Sequence, residues 1–103
     1  MVSKYRSKRT EIDGISFASK KEAKRYSELK LLERAGHIRQ LTLQPRFPLK
    51  VGGQLICTYV ADFAYFDQNA RVIEDSKGFR TREYIIKAKL LKALNPGIDF
   101  REV

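Results

Sequence analysis

The residues of this chain whose types and spacing suit chemistry lie between Tyr59 and Lys77, in the run YVADFAYFDQNARVIEDSK. Two strand-like stretches carry carboxylates in an otherwise apolar pattern and meet at a turn. With Gln68 and Asn69 at its tip, Asp67 faces Ala70, Phe66 faces Arg71, and Asp62 lies opposite Asp75. Side chains alternate between the faces of a strand, which puts Asp62 and Asp75 on one face with Val60, Ala64, Ile73 and Lys77. Carboxylates directly across an antiparallel pair have Cβ atoms roughly 4.5 to 5.5 Å apart, a like-charge arrangement that destabilises a sheet. A divalent cation held by both acids would offset the repulsion, with Lys77 two residues further along the same face. The plainer alternative is a solvated face on which Lys77 pairs with one acid. Register decides between them, because a slip of one residue exchanges the faces. Glu74 sits on the opposite face in this register and takes the place of Asp75 if the turn contains a bulge.

Several elements must hold that hairpin. Ser19 followed by Glu22 has capping-box spacing, and Ala23, Tyr26, Leu29, Leu32 and Leu31 form an apolar stripe that predicts a helix ending at Gly36. Lys20, Lys21, Lys24, Arg25, Lys30 and Arg34 make its outer face basic, either solvated or in contact with phosphate. Ahead of the helix, Asp13-Gly14 predicts a turn in a short hairpin or edge strand. After it, Ile38 to Leu49 reads as an extended segment that Pro45 and Pro48 confine to an edge or break, with Gln44 its odd polar residue. Gly52-Gly53 then turns into one strand, Gln54 to Phe66, the first arm of the central hairpin; Arg71 to Lys77 is the second. Thr81 caps a second helix with Tyr84, Ile85, Ala88, Leu91 and Leu94 at helical spacing, stopped by Asn95-Pro96-Gly97. A final strand over Ile98 to Val103 calls for a right-handed crossover to a parallel neighbour. The expected fold class is α/β in the α+β sense: helix, three antiparallel strands, helix and strand around a mixed sheet.

A chain of 103 residues with 43% hydrophobic content makes one small folded domain, expected over 11–103. Residues 1–10, MVSKYRSKRT, carry basic groups and no acid and read as an arm able to touch a phosphate backbone, or as a frayed terminus. Lys and Arg number 21 against 12 Asp and Glu, for a net charge of +9. That balance favours a polyanionic partner through counterion release. No stretch approaches the roughly 20 apolar residues that span a bilayer, and the first residues lack the apolar centre of a secretory signal. A lone cysteine, Cys57, excludes an internal disulfide and suits a reducing cytoplasm. With one Cys and one His, structural zinc is not expected. His37 stands near a helix end with no catalytic partner in view.

The order SKKEAKRYSELKLLERAG, LQPRFPL, YVADFAY, VIEDSKG, REYIIKAKLL resembles the PD-(D/E)XK, or restriction-endonuclease-like, nuclease superfamily, and within it small phage-encoded proteins of unknown function. The likeness runs from Tyr5 to Val103 and rests on the combination of loose motifs in one order. It implies that Asp62 is the first motif acid, Asp75 the second and Lys77 the lysine; Ala61 stands where the motif has proline, a common replacement. It implies that Glu22 is an additional metal ligand, a role that competes with capping. It also implies that Gln44 lies near the site and that Tyr84 and Lys87 face the cleft and bind phosphate.

Such an enzyme would hold one or two Mg²⁺ ions, or Mn²⁺, through Asp62, Asp75, the Ser76 carbonyl and Glu22, and would hydrolyse DNA. Lys77 would orient or deprotonate the water, or stabilise the pentavalent phosphate. Lys20, Lys21, Lys24 and Arg25 would hold the rest of the backbone. The expected substrate is double-stranded or branched DNA, with a homodimer plausible for cutting two strands and the bacterial host cytoplasm as the compartment. A non-catalytic nucleic-acid-binding accessory protein and an interaction subunit that needs a partner are the other readings.

Overall fold

A computed structural model describes residues 9–76 and 80–103; the lysine of the motif, Lys77, and residues 1–8 of the basic arm lie outside them. Strands β1 (Thr10–Ile12) and β2 (Ile15–Phe17) form the expected hairpin. Asp13 and Gly14, at φ of 54° and 77°, occupy the left-handed region that a tight hairpin turn demands. Helix α1 (Lys20–Arg34) starts where Ser19 Oγ accepts the Glu22 N–H at 3.1 Å. It stops at Gly36, whose φ of 82° lets His37 N–H reach the Leu32 carbonyl and Gly36 N–H the Glu33 carbonyl.

The stripe of α1 is buried at Ala23, Tyr26 and Leu29, whereas Leu31 and Leu32 are 64% and 36% exposed, contrary to expectation. Periodicity fixes a direction around the helix but not how far along it the sheet reaches.

Five strands follow: β3 (Arg39–Leu43), β4 (Arg46–Val51), β5 (Gln54–Val60), β6 (Phe63–Asp67) and β7 (Ala70–Asp75). Helix α2 (Arg82–Leu94), capped by Thr81 Oγ1, leads to β8 (Ile98–Glu102). Its buried residues are Ala88 and Leu91, while Ile85 and Leu94 of the expected stripe are 38% and 39% exposed.

One four-stranded sheet runs β3-β6-β7-β8, antiparallel except for β7 and β8, which are parallel as the crossover requires. Strands β4 and β5 pair only with each other. Setting that hairpin aside, the sheet and helices keep the expected order of helix, three strands, helix, strand in a mixed α+β fold. The single strand expected over Gln54 to Phe66 is two, broken at Ala61-Asp62, and the segment over Ile38 to Leu49 is broken at Gln44-Pro45.

The sheet separates two apolar layers. Phe63, Tyr65 and Val72 face α1 and the first hairpin, against Phe17, Tyr26 and Leu29. Ala64 and Ile73 face α2 and the β4–β5 hairpin, against Leu49, Tyr59 and Leu91. Each large side chain fully buried in these layers contributes roughly 1.5–3 kcal/mol. Among the described residues no helix is long and apolar enough to cross a membrane.

Candidate active site

Two matching corners bring the polar residues together. Pro45 has no N–H to continue a ladder, and Gln44 before it takes a left-handed φ of 48°, a strained conformation for a side chain with a Cβ. The Gln44 N–H donates to the Asp62 carbonyl at 2.9 Å, and the Ala61 N–H donates to the Pro45 carbonyl at 3.1 Å. The break in β3–β4 is thereby locked to the break in β5–β6. Ala61 and Ala64 both face α2, whereas Phe63 faces α1, so regular alternation fails across Asp62. Asp62 turns toward α1 and shares a pocket of about 100 Å³ with Glu22 and Gln44, walled by Phe17 and Leu43.

Glu22 reaches that pocket from the first turn of α1, is only 8% exposed, and sits where the Ser19 cap fixes the helix end. The Ser19 hydroxyl does cap the helix, and the Glu22 side chain is nonetheless part of the pocket lining. Asp62 is tied to the neighbouring strand as well: its Oδ2 accepts the Ser76 N–H at 2.7 Å.

The register of the central hairpin is the expected one, with Asp67 opposite Ala70 and Phe63 opposite Glu74. The expectation that Asp62 and Asp75 share a face with Ala64 and Ile73 is corrected for Asp62, because the backbone break rotates it to the α1 side. Asp75 stays on the α2 side, where its Oδ2 accepts the Tyr59 hydroxyl. The two carboxylates are still close in the chain path, since Asp62 binds the amide of Ser76, the residue next to Asp75.

Glu74 and Asp75 are both fully buried. Glu74 points to the α1 side and is held bidentately by one edge of the Arg25 guanidinium, Nε to Oε1 at 2.7 Å and Nη2 to Oε2 at 2.6 Å, with the Tyr65 hydroxyl donating to Oε2. The hydrogen bond to Glu74 holds the Arg25 guanidinium well above its ordinary range. Burial, and then Glu74, push the Tyr65 hydroxyl up to about 12. Arg25, expected among the DNA contacts, forms ion pairs with Glu74 at 2.6 Å and with Glu28 at 3.0 Å.

Exposed Lys21 and Lys24 line a cavity of about 240 Å³ with Arg25, Glu28, Ser76 and Val103, and exposed Lys20 lies on the same helix turn. Ser76 joins this basic cavity to the Asp62 carboxylate. Tyr84 and Lys87 lie on α2, lining a separate cavity of about 380 Å³ with Thr58, Tyr59 and Thr81. Lys87 pairs with Glu83 at 3.3 Å, and the Tyr84 hydroxyl donates to Glu102 at 2.7 Å. Burial, and then Glu102, push the Tyr84 hydroxyl above its ordinary range; burial, and then Asp75, do the same to Tyr59. Tyr59 and the Arg25–Glu74 pair are not visible in the sequence, since a tyrosine in an apolar strand and a base on a basic helix face carry no local signal.

Glu22, Asp62 and the Gln44 amide present hard oxygen donors in one small pocket. Among the described residues no group of three or more His, Cys, Asp or Glu is gathered tightly enough to enclose a metal. Mg²⁺ takes only one or two carboxylates from a protein when water and substrate phosphates complete its shell. A family model described as a protein of unknown function, DUF1064, matches residues 2–103. The chain belongs to the DUF1064 family. No curated protein and no solved structure matches it.

Proposed function

We propose that this DUF1064 protein is a divalent-metal-dependent DNA endonuclease, as its resemblance to the PD-(D/E)XK nucleases implies. The observation that carries the reading is the convergence of Glu22, Gln44 and Asp62 on one pocket beside the Lys21–Lys24–Ser76 cavity. A +9 protein that gathers carboxylates inside a basic surface is arranged to hold a cation against a phosphate. Asp62 and Glu22 would hold Mg²⁺ or Mn²⁺ through their carboxylates, with the Ser76 carbonyl adding to the protein's share, while Asp75, buried on the α2 face against Tyr59, stands apart from that pair. A divalent ion held there would supply Lewis-acid stabilisation and lower the pKa of a bound water. Gln44, held at the strained corner, orients groups entering the pocket. Lys20, Lys21 and Lys24 hold the neighbouring phosphates, and Lys77 serves the attacking water or the pentavalent phosphate. Hydrolysis breaks one P–O ester bond; the water oxygen ends on phosphorus and its proton on the departing alcohol.

The test is cleavage of supercoiled plasmid and of a four-way junction with Mg²⁺, Mn²⁺ or EDTA, comparing wild type with Asp62→Asn. Metal-dependent cutting is expected in the wild type and lost in the variant, with DNA affinity in EDTA equal or tighter because a charge facing phosphate is removed. Tight binding with no cutting under any metal would overturn the enzyme reading in favour of a non-catalytic DNA-binding accessory protein.

A further inference from the structure

We propose that the groove between α2 and β8 seats an unpaired nucleotide, its base on the Phe100 ring and its phosphate on Lys89 and Lys92; this rests on reading the protein as DNA-binding. The groove holds a cavity of about 270 Å³. Its walls are apolar at Phe100, Ile85 and Ala88 and basic at Lys89 and Lys92. Both lysines are exposed and meet no carboxylate within ion-pair distance among the described residues. The acid of the groove, Glu102, already has its partners: Arg80 forms an ion pair with it, and the Tyr84 hydroxyl donates to it at 2.7 Å. An aromatic wall beside free cations is matched by a flat ring that carries a phosphate.

The ring is fixed in place. Tyr59 lies edge-on to it at 6.1 Å, and Phe100 is the register partner of buried Ile73. Phe100 is half-buried, and Lys92 Nζ stands 5.4 Å from its ring centroid. An exposed cation–π contact is weaker than a stacked base, so an incoming base displaces the ammonium, which then lies beside the phosphate. The larger cavity on the other side of Tyr84 suits an anion less, because Lys87, its only base among the described residues, pairs with Glu83 at 3.3 Å. Glu102 precedes Val103, which lines the Lys21–Lys24 cavity on the α1 side. Basic cavities therefore flank the end of β8 on both faces of the sheet, and a strand held at Lys21 and Lys24 can continue round that end into the groove.

The experiment measures, by fluorescence anisotropy in EDTA, binding of a labelled twelve-nucleotide thymidine strand, of a strand of twelve abasic sites and of a twelve-base-pair duplex. Wild type is expected to bind the thymidine strand about 10-fold more tightly than the abasic strand, the scale of one stacked base. Lys89→Gln with Lys92→Gln should weaken binding of both strands and lower the slope of log affinity against log salt by about 1.4, at about 0.7 for each phosphate no longer neutralised. Arg46→Gln with Lys50→Gln removes the same charge from exposed positions of β4, outside the groove, and is the control. Phe100→Leu, with folding confirmed by circular dichroism, should abolish the preference for bases; the lysine pair and the abasic strand test the groove without touching the core. Equal affinity of wild type for thymidine and abasic strands would overturn the proposal. So would equal weakening in the lysine pair and the β4 control, as a general charge effect. Duplex binding with no single-strand binding would overturn the groove's role alone, whereas no binding to any of the three probes would remove the DNA reading with it.

Discussion

Arg25→Met should destabilise the protein far more than any other loss of a base from α1. The Glu74 side chain is fully buried and the Arg25 side chain 25% exposed, and two hydrogen bonds of 2.7 and 2.6 Å join them. Removing one partner of such a pair leaves a charge in a water-poor site, a loss of about 3–5 kcal/mol. Partial exposure of Arg25 places the expected loss near the lower end, about 3 kcal/mol. With a urea slope of about 1.5 kcal/mol per molar for a domain of this size, the unfolding midpoint should fall by about 2 M. Replacing both partners, Arg25→Met with Glu74→Leu, removes the stranded charge along with its counterion and should recover most of the loss. Urea unfolding followed by circular dichroism measures all three. A midpoint shift under about 0.3 M in Arg25→Met, the size of an exposed ion pair's contribution, would refute the buried-pair argument.

The remaining predictions concern charge and pH. Reversing Lys20, Lys21 and Lys24 to Glu should weaken DNA binding and lower the slope of log affinity against log salt by about 2–3 for duplex DNA, at about 0.9 for each phosphate no longer neutralised; an unchanged slope would place the DNA elsewhere. The Tyr65 hydroxyl, raised to about 12 above an ordinary tyrosine near 10, stabilises the fold fully below the unfolded value, and that contribution is lost as pH rises through about 12. Melting temperature should therefore fall between about pH 10 and 12, and Tyr65→Phe should flatten that fall by about one proton's worth. A fall of unchanged steepness in the variant would show that Tyr65 does not contribute.

The turn at Gln68-Asn69 and the register from Phe63 opposite Glu74 to Asp67 opposite Ala70 were legible because period-two patterning on both arms fixes which residues must meet. Both helix starts were legible from Ser19 and Thr81, whose hydroxyls accept the expected backbone N–H groups. The Arg25–Glu74 pair was not, since its members lie 49 residues apart and Arg25 shares its helix face with exposed lysines. The break at Ala61-Asp62 was hidden for a different reason. The run YVADFAY contains neither glycine nor proline, and alternation through it reads as one continuous strand. Its cause lies in another segment, at Gln44 and Pro45, through the bonds from Gln44 N–H to the Asp62 carbonyl and from Ala61 N–H to the Pro45 carbonyl. Without that corner, alternation would send Asp62 to the α2 side with Ala64 and Ile73, across the sheet from Glu22. The place where the local strand rules fail is therefore the place that brings Asp62, Gln44 and Glu22 into one pocket, where a strained backbone is expected if the pocket serves function.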